Sequence, residues 1–165
     1  MRKYYSSLLR NSILILLIIF AITSAMGQNL RKEKMAQLDF LIGDWVGVSA
    51  SFENGIKKQE IPAFEKIAYQ LDGHIITIDL KSESLQLHTV IYFDDKDNTY
   101  YYNPFYTTGT AKYAAEIKDG KLIVNASSTK RFIFRLTPEG HFQEYGEQFI
   151  NGEWQKYFED NFKKI

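Results

Sequence analysis

The 165-residue chain carries 20 basic and 20 acidic residues, three histidines and no cysteine, and 15% of it is aromatic. Without cysteine there is neither a disulfide framework nor a lipoprotein anchor. The basic pairs Lys57-Lys58, Lys130-Arg131 and Lys163-Lys164 stand apart, so no concentrated basic face exists to take up nucleic-acid phosphates.

The chain opens with Arg2, Lys3 and Arg10, and no acid precedes Glu33. Residues 13–25 are almost wholly apolar, a run shorter than the roughly 20 residues a membrane span needs. Ala25 and Gly27 then place small residues before Gln28. This is the pattern of a secretory signal peptide over 1–27, and export to the periplasm or full secretion is expected. The alternative is an uncleaved anchor. Without the leader, 17 basic residues stand against 20 acidic ones, a net charge of −3. Residues 28–165 are the size of one ordinary domain, large enough for its own core.

Residues 28–41 predict a short amphipathic helix, with Leu30, Met35 and Leu38 on one side and Arg31 to Lys34 on the other. Gly43 ends it. From there the period changes, and Tyr, Phe, Ile, Val and Thr dominate. Asn54-Gly55, Asp72-Gly73, Asp119-Gly120, Pro138-Glu139-Gly140 and Asn151-Gly152 punctuate the chain as turns. Between them, ten strands are predicted over 44–52, 59–71, 74–82, 85–93, 100–105, 110–117, 121–126, 131–137, 141–149 and 154–162. Pro104 is expected to end or bulge the fifth.

A ten-strand meander exposes unpaired edges unless it closes. The expected fold is therefore all-β: an antiparallel up-and-down barrel preceded by a short helix. A two-sheet sandwich is the alternative, although the connections are short for one.

Gly43-Asp44-Trp45 is similar to the Gly-x-Trp that opens the first strand of lipocalins, and the chain resembles the calycins. The fuller phrase Phe40-Leu41-Ile42-Gly43-Asp44-Trp45, with the later Leu71-Asp72-Gly73, resembles exported bacterial calycin-like families of unknown function. The same opening resembles nitrobindin, a ten-stranded haem-binding barrel. That resemblance implies a haem held by a histidine on a strand near the C-terminus. Residues 142–165 contain none, and His141 falls at a hairpin end. No haem or other cofactor is expected. Gly43 and Trp45 read as structural, with Trp45 and the helix closing one end.

Of the histidines, His74 and His141 follow turns, and His88 lies mid-strand on the parity of Val90 and Tyr92. Their spacing makes no local metal pair. His88 is expected to be enclosed, as a polar anchor or general base. Tyrosine offers apolar area with one hydroxyl, which suits an amphiphilic ligand, and Tyr102, Tyr113 and Tyr145 are the candidates. Arg131, Arg135 and Glu144 are candidate interior charges. Arg135, between Phe134 and Leu136, is placed to meet a carboxylate ligand. The expected ligand-binding set is His88, Tyr102, Tyr113, Arg135 and Tyr145, with ordinary packing and solvated surface as the competing account of each.

No nucleophile elbow, zinc-protease or phosphate-loop motif is present. The first expectation is an exported binding protein holding a small apolar or amphiphilic molecule in a barrel cavity. It would bind no nucleic acid and have no stable membrane span after cleavage; a homodimer is compatible with it. The alternatives are an isomerase or hydrolase using His88 with a carboxylate in that cavity, and a structural or interaction barrel with a filled core.

Overall fold

A computed structural model describes residues 30–165. The expected leader at 1–27 lies outside the described residues. The chain enters through a helix over 30–36 and a short 3-10 turn, Asp39–Leu41. The helix is shorter than its sequence pattern, because the chain must turn at 37–38 to bring Leu38 and Leu41 under the barrel.

Eleven strands follow: β1 (Gly43–Glu53), β2 (Ile56–Gln70), β3 (Ile75–Ser82), β4 (Gln86–Asp94), β5 (Thr99–Tyr106), the two-residue β6 (Gly109–Thr110), β7 (Tyr113–Lys118), β8 (Lys121–Ser127), β9 (Lys130–Leu136), β10 (Phe142–Ile150) and β11 (Glu153–Lys164). All neighbours are antiparallel. β1 pairs with β11, and the β4–β5 pairing completes the ring. Ten strands thus form a closed barrel, with β6 as a lip on β5. Closure leaves no long edge open.

The predicted segment 110–117 divides into β6 and β7. Pro104 does not end its strand. It pairs with Thr89 inside β5, and its carbonyl accepts hydrogen bonds from the Ala111 amide at 3.1 Å and the Thr110 hydroxyl at 2.9 Å. Proline lacks a donor but keeps its acceptor, and here that acceptor anchors the β5–β6 lip. Asn54-Gly55 and Asn151-Gly152 turn with positive φ at both residues (51° and 76°, 53° and 88°), as two-residue hairpins require.

One end of the barrel is plugged. Met35, Leu38 and Leu41 are fully buried there beneath Trp45. The Trp45 indole N–H donates to the Leu41 carbonyl at 2.8 Å, and its ring packs on Phe142 at 5.3 Å. Tyr69 donates to the Met35 carbonyl at 3.0 Å, and Tyr100 to that of Lys34 at 2.7 Å. Arg31 pairs with Asp95 at 2.5 Å. The helix is therefore held by apolar contact, with hydroxyls satisfying its final carbonyls.

Gly47 faces Phe162 across the β1–β11 ladder, and a Cβ there would stand 1.9 Å from the Asn161 carbonyl oxygen. Only glycine allows the two strands to coil so closely. At Gly43 a Cβ would meet Lys164 at 2.8 Å and the Trp45 ring at 3.2 Å. Among the described residues, no helix is long and apolar enough to cross a membrane.

Candidate ligand site

Side-chain alternation decides what enters the barrel. β2 sends in Ala63, Glu65 and Ile67; β10 sends in Phe142 and Glu144; β11 sends in Phe158, Asp160 and Phe162. Below mid-height the filling is aromatic: Phe142 stacks on Phe162 at 5.9 Å, and Tyr102 lies 5.6 Å from Phe134. Towards the end opposite the helix, the filling stops.

A cavity of about 320 Å³ remains there. Its apolar walls are Leu80, Leu85, Leu87, Phe132 and Phe158, and Ser49, Ser82 and Ser84 line it as well. Tyr102, Tyr106 and Tyr157 present hydroxyl-bearing rings, and Glu144 and Asp160 complete the lining. Tyr106 is partly exposed, while Tyr102 is buried and lies 3.4 Å from the Thr89 hydroxyl that donates to it. Gly146 leaves room for the Phe158 ring, which would stand 2.2 Å from a Cβ at that position.

The acids form a group. Glu65, Glu144 and Asp160 are all buried, and one oxygen of each lies within 4.8 Å of the other two. No lysine, arginine or histidine lines the cavity among the described residues. As carboxylates, both Glu65 oxygens and Asp160 Oδ1 have no hydrogen-bond partner. Burial therefore dominates their titration. It pushes Glu65 up to about 8, helped by the charge of Asp160, and a hydrogen bond from protonated Glu144 opposes the rise. Burial, then the charges of Glu65 and Asp160, raises Glu144 well above the carboxylate range. Asp160 is pushed up to about 6 by burial, against a hydrogen bond from Ser49. Burial also raises Tyr102, and lifts Tyr157 to about 12.

The five residues expected to bind ligand do not meet. Tyr102 lines the cavity. Tyr113 has the inward parity and packs edge-to-face on Phe132 at 6.1 Å, behind the cavity wall. The other three face outward. His88 was expected to be enclosed; instead it is exposed, and its Nδ1 lies 2.7 Å from Asp79 Oδ1 on the outer surface. Its strand-mates Leu87, Thr89, Ile91 and Phe93 take the inner positions. Arg135 shares the outer parity of Arg131 and Ile133. It donates from Nε to Gln143 Oε1 at 2.7 Å and lies over the Tyr145 ring at 5.6 Å. Tyr145 is thus part of an outer-surface stack. Arg131 is likewise outside, bonded to Glu147 at 2.7 Å; of the three candidate interior charges, Glu144 alone is inside.

Glu65 and Asp160 were not anticipated as site residues. Their signal was an acid on an apolar parity: Ala63-x-Glu65-x-Ile67 and Phe158-x-Asp160-x-Phe162.

A comparison with protein-family models finds no match, and a comparison with curated proteins finds no relative. Among solved structures, a protein of unknown function from the DUF3598 family of Nostoc punctiforme is similar over 79% of this chain and 98% of its own. Its sequence identity is 9% and its TM-score 0.28.

Proposed function

We propose that this chain is an exported, calycin-like binding barrel that takes a small amphiphilic molecule into its open end. One observation carries the reading: a cavity of about 320 Å³ with leucine and phenylalanine walls and a polar set of tyrosines and acids. That volume falls at the small end of ordinary ligand pockets, which are mostly apolar with a few convergent polar groups. A structural barrel would gain by filling this space, since interiors are otherwise close-packed. The His88 enzyme loses its premise, because the carboxylate that His88 meets is Asp79, on the outer surface.

Binding of the neutral fluorophore N-phenylnaphthylamine tests the reading. The wild type is expected to enhance its emission. Leu87→Trp, which fills the cavity from one wall, is expected to abolish the enhancement while leaving the far-ultraviolet circular dichroism unchanged. Equal enhancement by both proteins would sink the proposal. Export has its own test: expressed in full, the protein is expected to be recovered outside the cytoplasm with Gln28 at its N-terminus. A chain retaining Met1 at the inner membrane would instead support the anchor.

A further inference from the structure

Resting on that reading of the cavity, we propose that its ligand is an organic cation: a small amphiphilic amine whose ammonium sits against Asp160 in the Glu65–Glu144–Asp160 cluster, with its apolar part towards the barrel mouth.

Three observations converge on this ligand. First, among the described residues the interior carries acids and no base. Glu65 comes from β2, Glu144 from β10 and Asp160 from β11, and the other titratable groups nearby are the hydroxyls of Tyr102 and Tyr106 on β5, Tyr113 on β7 and Tyr157 on β11. A buried charge without a partner is expensive. Without ligand, the acids can escape that cost only by keeping protons. A bound cation offers the other escape.

Second, the acceptor capacity is already in place. With the acids ionised, both oxygens of Glu65, which is fully buried, and Oδ1 of Asp160, 3% exposed, lack partners. An ammonium has N–H donors and no acceptor, which is the complement of this set. Hydrogen bonds between two charged groups are about twice as strong as neutral ones.

Third, the surroundings suit an organic cation better than a bare metal. Calcium or magnesium at the three carboxyl groups would complete its shell with water. The space beside the cluster is walled instead by Phe132, Phe158, Tyr102, Tyr106 and Tyr157. Aromatic faces attract ammonium groups, and the leucines beyond accept an alkyl or aryl tail. A fatty acid would place a carboxylate against carboxylates, so anionic amphiphiles are disfavoured.

The test is calorimetric titration of the full mature protein with hexylamine, hexanol and hexanoate at neutral pH, and with calcium or manganese alone. Hexylamine is expected to bind at least tenfold more tightly than hexanol, and hexanoate more weakly than either. Hexylamine affinity is expected to rise with pH between about 6 and 8, as Asp160 and then Glu65 release their protons. Asp160→Asn or Glu65→Gln is expected to weaken hexylamine about tenfold and leave hexanol within about twofold, the size of one charged hydrogen bond. Thermal melts of both variants confirm folding, and two independent positions guard against one failing to fold.

Equal binding of amine and alcohol would overturn the cation proposal and keep the cavity reading. Binding of none of the three would overturn both. Tight metal binding without amine binding would overturn the cation proposal in favour of a metal site.

Discussion

At the helix end of the barrel, Trp45 is 2% exposed and its indole N–H has found the Leu41 carbonyl; at the open end, Glu65 is fully buried and, with the acids ionised, neither of its oxygens has a hydrogen-bond donor. The same alternation of inward side chains built both ends. On the plugged side it delivers aromatic rings and leucines that fill the bore, and the polar atoms it brings are satisfied by backbone carbonyls. On the open side it delivers three carboxyl groups beside an unfilled cavity. One end is therefore organised for stability. The other carries a cost that stability alone does not require.

The largest expected effect separates the ends by removing the plug. Trp45→Ala deletes a ring that touches Phe142 and abolishes the bond that holds the 3-10 turn. A loss of about 3–5 kcal/mol is expected, as for other large-to-small core changes. Urea unfolding measures it. A loss below about 1 kcal/mol would mean that the helix and Trp45 cap the barrel without supporting it.

The next effect lies at the acid end, and its sign is opposite. Glu65, Glu144 and Asp160 bind protons more tightly in the folded chain than in the unfolded one. Their contribution to stability is therefore fully present below the unfolded carboxylate range near pH 4 and is lost as pH rises through about 6 and about 8. The ligand-free protein is therefore expected to lose stability steadily between pH 5 and pH 8, seen as a falling melting temperature. Glu65→Gln is expected to remove about half of that slope and to raise the melting temperature at pH 8. A wild-type melting temperature that is flat or rising over this range would show that the cluster is solvated or paired.

Much of the architecture was legible in the sequence, because period-two alternation and Asn-Gly turns are local signals. Ten predicted strands fell within a few residues of their observed bounds, and the closed barrel followed from the need to hide sheet edges. The site was less legible because alternation fixes which residues share a face, not which face is inside. His88 shares its parity with Val90 and Tyr92, which looked like a core row. The rival row, Leu87-Thr89-Ile91-Phe93, is the one that is buried. Arg135 was read through its chain neighbours Phe134 and Leu136, yet in a strand those neighbours point the other way. Glu65 and Asp160 were not singled out, since acids rarely enter cores. Glu144 and Asp160 face each other across the β10–β11 hairpin, and only the closing β1–β11 pairing brings Glu65 on β2, far away in the chain, beside them.

The smallest expected effect sharpens the contrast from outside the barrel. His88→Ala removes the exposed hydrogen bond with Asp79 and the ring contact with Phe105 at 6.3 Å. Exposed pairs contribute little, and surface substitutions change stability by about 0.5 kcal/mol or less. Ligand affinity should also stay within about twofold, since the cavity wall at this point is Leu87, on the opposite face of β4. If His88→Ala abolished binding of the fluorophore or of hexylamine, the ligand would have to sit on the outer surface of β3 and β4. The open end would then be a void beside a buried acid cluster with no ligand to explain either.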